Sequence, residues 1–249
     1  MLRISRLLLA LLALFGAAGG ACADEVKVAV AANFAEPAQQ IAQRFAARTG
    51  HRATLSFGSS GQFVAQIANG APFGVFLSAD RARPEALEGA GLAVAGSRFT
   101  YATGRLVLFS RTPRLVDSRG LVLARGGFQK LAIADPETAP YGAAAIETLR
   151  RLGLLDALQP KIVKGASITQ AFQFVDTGAA EVGFVARSQV IARPGGSRWL
   201  VPATLHAPIE QQAILLQAGA GEPAARAFMA FLKGPEARGV IRRYGYEVR

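Results

Sequence analysis

The residues whose types and spacing could do chemistry sit in four short turns. The stretch SFGSSG, 56–61, follows an apolar run over 52–55 and precedes a helix-like segment over 62–69. A strand ends, Gly58 lets the backbone turn, two hydroxyls follow and a helix starts. The first turn of a helix leaves backbone N–H groups unpaired and carries the positive end of the helix dipole, so anions bind there. Taken alone, Ser59 or Ser60 reads as an ordinary N-cap. The same construction recurs three times. VAVAANF, 28–34, sets Asn33 just past a strand, where its amide can donate to a ligand or cap a helix. IADPETAPYG, 133–142, opens a helix at Pro140-Tyr141-Gly142, and in VKGASIT, 163–169, Gly165 turns the chain and Ser167 caps a helix beginning at Ile168.

These turns offer hydroxyls, an amide and backbone N–H groups, with no cationic side chain at the key positions. Such a site suits a small, fully deprotonated oxyanion. A protonated anion would need an acceptor for its own hydrogen, and an unmatched pair in a dry site is costly. Asp135 and Glu137 stand near the third turn and are read as capping or facing solvent. Each hydrogen bond to a charged group contributes roughly 1.5–3 kcal/mol. About five to seven of them, less desolvation and closure, leave about 8–12 kcal/mol, or micromolar to nanomolar binding.

The elements that must position these turns alternate. Strands are predicted over 26–32, 53–57 and 74–78, with helices over 36–49, 62–69 and 83–90. The pattern changes around Tyr101, where a strongly apolar strand is predicted over 104–110. Alternation then resumes with strands over 131–134, 161–163 and 181–185 and helices over 142–152 and 168–177. A strand over 212–216 and helices over 223–233 and 235–244 complete the chain. This order implies an α/β protein with mostly parallel sheets covered by helices on both faces. In such sheets the four turns all lie at the carboxyl ends of strands, the edge where ligands bind. Two lobes joined by two crossings are expected, the first from 24–103 and 205–249 and the second from 104–204, with two turns in each. Closing the lobes would gather four sets of donors around one point.

Composition narrows the partners. Arg3 and Arg6 precede an apolar core over 7–15 and then Ala21-Cys22-Ala23, which reads as a secretory signal peptide over 1–23 cleaved after Ala23. The apolar core is too short to span a bilayer comfortably. Lipid modification of Cys22 competes with this reading, but Gly19 stands where such sites usually carry a larger aliphatic residue. Cleavage would leave no cysteine, hence neither disulfides nor thiol chemistry. It would also leave 26 Lys+Arg against 17 Asp+Glu, a charge of +9. The basic residues are mostly arginines scattered singly, with no aromatic stacking motif, which argues against nucleic acid.

Taken together, the turns and the segments NGAPFGVFLSAD, SRFTYATGRLVLFS, GASITQAF, AEVGFVA and FLKGPEARGVIRRYGY make the chain similar to the periplasmic molybdate-binding proteins of ABC importers. The likeness covers essentially the whole sequence after residue 23. It implies a two-lobed type II periplasmic binding protein with two hinge crossings. It also implies a ligand, molybdate or tungstate, held through its oxo groups by neutral hydrogen bonds, with no direct protein–metal ligands and no cofactor. Carried over by position, the ligand-holding residues are Asn33, Ser60, Tyr141 and Ile168, the last two mainly through backbone N–H. The implied setting is the periplasm, with an inner-membrane ABC permease as partner and the receptor itself a monomer that does not span the membrane. Two departures stand out. A tyrosine hydroxyl used by one branch comes from the position of Ala186, which has no side-chain donor, and a threonine used by another comes from the position of Ala32. The contact at Ala186 is then either missing or replaced, and the hydroxyl of Tyr141 is one candidate for the replacement.

An enzyme is the competing class. Gly58-Ser59-Ser60-Gly61 has the wrong glycine spacing for a hydrolase elbow. His51, read as a surface residue at a helix end, and His206 lie in no strand-end turn, and two isolated histidines form no metal cluster. No phosphate-loop lysine motif and no GxGxxG after a strand are present. No catalytic residue is assigned. A transcriptional effector domain can share the fold, but the signal peptide and the lack of a preceding DNA-binding helix pair argue against it. Among receptors, sulfate is the alternative, since it shares charge and shape with molybdate and differs in radius.

Overall fold

The computed structural model describes residues 24–248. The signal peptide expected over 1–23, with Cys22, lies outside the described residues. The chain opens with β1 (Glu25–Ala31), a 3-10 turn (Ala32–Phe34), α1 (Ala35–Thr49), β2 (Arg52–Gly58), α2 (Ser60–Ala68), β3 (Val75–Ser78) and α3 (Ala82–Gly89). Val26, Val28, Ala29 and Val30 of β1 are all fully buried. A strand apolar on both faces belongs in the middle of a covered sheet, and β1 lies between β2 and β3, parallel to both.

Then come β4 (Phe99–Gly104), β5 (Leu106–Ser110), α4 (Val122–Arg125), β6 (Leu131–Ala134), α5 (Pro140–Arg151) and α6 (Leu155–Leu158). They are followed by β7 (Ile162–Gly165), α7 (Ile168–Asp176), β8 (Val182–Ala186), α8 (Arg187–Val190) and β9 (Ser197–Leu200). The chain ends with β10 (Ile209–Leu215), α9 (Pro223–Lys233) and α10 (Pro235–Arg243). Two five-stranded sheets result, ordered β2-β1-β3-β10-β4 and β7-β6-β8-β5-β9. The protein is two-lobed, each sheet flanked by its own helices. The chain passes between sheets at Arg105 and again over 201–208. A third strand of backbone lies beside the first crossing: Thr103 and Glu247 exchange N–H···O bonds of 2.8 and 3.1 Å, and Arg105 pairs with the Glu247 carboxylate at 2.8 Å.

Two expectations change. The apolar run over 104–110 is not one strand but is divided at Arg105 between the two sheets. β4 and β9 are additional strands, both at sheet edges, where half-exposed sequences such as FTYATG and SRWL lack a continuous apolar signal. Each sheet is mostly parallel, as expected, with one reversed strand: β10 runs antiparallel to β3 and β4, and β5 antiparallel to β8 and β9. The two reversed strands are those that each sheet receives directly from the other lobe. No helical crossover precedes them to impose the parallel direction.

A candidate oxyanion site between the lobes

Four strand ends converge on one cavity. β1 ends at Ala31 and the 3-10 turn carries Asn33; β2 ends at Gly58 and α2 begins at Ser60. From the other lobe, β6 leads to α5, whose second residue is Tyr141, and β7 leads to α7, whose first is Ile168. Asn33, Ser60, Tyr141 and Ile168 are all buried and line the same space, whose volume is about 10 Å³. No lysine, arginine, histidine, aspartate or glutamate lines it. The N–H groups of Ser60, Tyr141 and Ile168 lie in the first turns of their helices, where no intrahelical acceptor exists.

The two serines divide their work. Ser59 is the N-cap of α2: its Oγ accepts from Gln62 N at 3.3 Å while its own N–H donates to Gln62 Oε1 at 3.1 Å, a capping box. Ser60 is thereby free of capping. Its Oγ accepts from Ala79 N at 3.0 Å, and since a hydroxyl has a single hydrogen, that hydrogen is left for the cavity. Ser167 caps α7, accepting from Gln170 N at 3.3 Å.

The Asn33 side chain differs from expectation. Asn33 Nδ2 donates to Gln211 Oε1 and to Tyr246 Oη, both at 3.0 Å. Both amide hydrogens are therefore used inside the protein, and what Asn33 can offer the cavity is backbone. Gln211 Oε1 also accepts from Tyr101 Oη at 3.0 Å, and Gln211 Nε2 donates to Tyr141 Oη at 3.3 Å. The Tyr141 hydroxyl thus belongs to a buried polar network. Burial pushes the Tyr246 phenol up to about 12 and holds those of Tyr101 and Tyr141 well above the ordinary value. All three are neutral around pH 7.

Asp135 caps its own turn, accepting from Glu137 N at 3.3 Å and Thr138 Oγ1 at 3.4 Å, and Glu137 is exposed. His51 is half-buried against Phe45, not a free surface residue, and His206 is buried at the second crossing with Nδ1 2.7 Å from the Ala207 carbonyl. Neither lines the cavity. Among the described residues no cluster of histidine, cysteine and carboxylates suits a metal, and no helix is long and apolar enough to cross a membrane.

The lobes touch around the cavity. Gly61 N donates to Thr138 O at 2.9 Å, and Thr169 Oγ1 donates to Ala32 O at 3.4 Å. Arg83, paired with Asp80, donates to Glu137 O at 2.8 Å. Gly61 is required by this approach, because a Cβ there would lie 2.9 Å from Thr138 Cα. Gln211, Tyr246, Ser188 and Tyr101, which support the site from below, carry no local signal in the sequence.

Residues 26–247 match the family described as bacterial extracellular solute-binding protein. The chain belongs to that family. Within it, the chain is 55% identical over 237 residues to the molybdate-binding protein ModA of Rhodobacter capsulatus, covering 95% of this chain and 94% of that one. It is 54% identical over 249 residues to the molybdate-binding protein ModA of Azotobacter vinelandii, covering 98% and 97%. The solved Azotobacter vinelandii periplasmic molybdate-binding protein superimposes with a TM-score of 0.87 at 46% identity, covering 90% of this chain and 99% of that one. These family members are solute-binding proteins.

Proposed function

We propose that this protein is a periplasmic receptor that captures molybdate or tungstate between its lobes and delivers it to an ABC permease. The observation that carries the reading is the convergence of four strand-end turns, two from each lobe, on a small cavity with no charged residue in its wall. Asn33, Ser60, Tyr141 and Ile168 hold the oxyanion through backbone N–H groups and the Ser60 hydroxyl. The first lobe takes in 24–103 and 205–249 and the second 104–204. The high identity to two molybdate-binding proteins supports the choice of anion.

The physical basis is replacement of a hydration shell by fixed neutral donors. A dianion entering a dry cavity loses water, and the first-turn N–H groups with their helix dipoles return that interaction without an opposite charge. Donors come from both lobes, so the anion binds the closed form better than the open form and draws the lobes together. The closed, monomeric receptor is the form the permease reads.

Isothermal titration of the ligand-stripped protein with molybdate, tungstate and sulfate tests this. Micromolar or tighter binding of the first two, with sulfate weaker, is expected. Sulfate binding tightest would overturn the substrate while leaving the fold intact.

A further inference from the structure

The last residues of the chain do more than end it. After α10, Gly245 to Val248 runs back along the first crossing, pinned there by the paired Thr103 and Glu247 backbones and the Arg105–Glu247 ion pair. This delivers Tyr246 to the floor of the candidate site, where it is buried and its ring packs edge-on against Phe34, 5.4 Å between centroids. Its hydroxyl lies 2.7 Å from the Asn33 carbonyl oxygen and 3.0 Å from Ser188 Oγ, and it accepts from Asn33 Nδ2 at 3.0 Å. Ser188 Oγ in turn donates to the Asn33 carbonyl at 2.9 Å. Asn33 directly follows β1 of the first sheet and Tyr246 packs with that sheet's core, whereas Ser188 stands on α8, directly after β8 of the second. One phenol therefore ties the cavity wall of one lobe to the other lobe.

The approach on the second-lobe side is equally close. Tyr141 reaches the network from α5, and a Cβ on Gly104, the last residue before the crossing, would lie 2.1 Å from its hydroxyl oxygen. Tyr101 is the internal contrast. Its hydroxyl joins the same network, but its partners, Gln211 Oε1 and the Ser78 carbonyl, both belong to the first sheet.

We propose that Tyr246 is a positioning residue for anion capture: it orients Asn33 and, through Ser188, makes closure of the lobes and completion of the cavity a single event. The inference rests on the function proposed above and adds a residue outside the cavity wall. A bond made only on closure slows opening, so its loss should show in the dissociation rate.

Stopped-flow molybdate binding to the wild type, Tyr246→Phe, Ser188→Ala, the double variant and Tyr101→Phe decides it. Tyr246→Phe is expected to release the anion about tenfold faster with little change in association. The double variant should lose less than the product of the single effects, since both act on one connection. Tyr101→Phe should lower thermal stability without speeding release, which separates coupling from general weakening of a buried network. Unchanged release from Tyr246→Phe, or equal acceleration in Tyr101→Phe, overturns the inference. A wild type that fails to bind molybdate sinks the proposed substrate instead, and the same comparison is then made with whichever of tungstate or sulfate binds. With no anion bound at all, small-angle scattering decides: Tyr246→Phe more open than wild type upholds the coupling, and equal dimensions reject it.

Discussion

At the scale of single residues, the site depends on where each hydrogen atom goes. Ser60 shows the logic: with Ala79 N–H on one lone pair, its only hydrogen is left for the cavity. Asn33 shows the converse, because an amide that looks like a ligand donor spends both hydrogens on Gln211 and Tyr246. The Ser60 hydroxyl is thus the side-chain donor whose removal is expected to cost most. Ser60→Ala should weaken molybdate binding by roughly ten- to a hundred-fold, the range for one hydrogen bond to a charged group. Calorimetric titration reads this directly, and an unchanged affinity would remove the Ser60 hydroxyl from the site. Part of any loss of thermal stability will reflect the Ala79 N–H left without its acceptor.

At the scale of elements, the N-terminus of α2 meets the turn before α5. Capping by Ser59 and Gln62 satisfies part of the first turn of α2 locally. The Gly61 N–H is left to cross the cleft to Thr138 O. This contact has no room for a side chain, since a Cβ on Gly61 would meet backbone at 2.9 Å. Gly61→Ala should therefore leave each lobe folded but hold the lips apart. The expected result is a ligand-free melting temperature close to wild type with molybdate affinity reduced at least tenfold. A variant that binds normally would mean that the lips can part at this point without opening the site.

At the scale of the whole molecule, three connections control how the lobes meet: the two crossings and the returning C-terminal segment. Three neutral phenols, Tyr101, Tyr141 and Tyr246, are buried where these connections and the cavity come together. Burial raises all three above the ordinary phenol value, Tyr246 to about 12. A group that holds its proton more tightly when folded contributes its full stability below the unfolded value. That contribution is lost as pH rises from about 10 through the folded value. Urea unfolding between pH 8 and 11.5 should thus show stability falling above pH 10, with a shallower fall in Tyr246→Phe. Identical slopes in the two proteins would mean that Tyr246 does not share in the alkaline loss.

Local chemistry was legible from the sequence because it is written in contiguous residues. A strand, a glycine, a hydroxyl and a helix start within six positions, as in SFGSSG, are enough to predict a helix N-terminus, and the recurrence of that construction in four turns points to an anion site. The strand–helix alternation is enough to predict two sheets with such turns at one edge. The resemblance to molybdate-binding proteins rests on the same short segments. Three things were decided only in the folded molecule. The direction of β5 and β10 follows from their arrival across the lobes, which no local period records. The edge strands β4 and β9 are held by pairing rather than by an apolar pattern. The fate of the Asn33 amide depends on partners 178 and 213 positions away. Hydrogen-bond satisfaction in a buried site is a property of everything that surrounds it, and that environment exists only once both lobes and the C-terminal segment have come together.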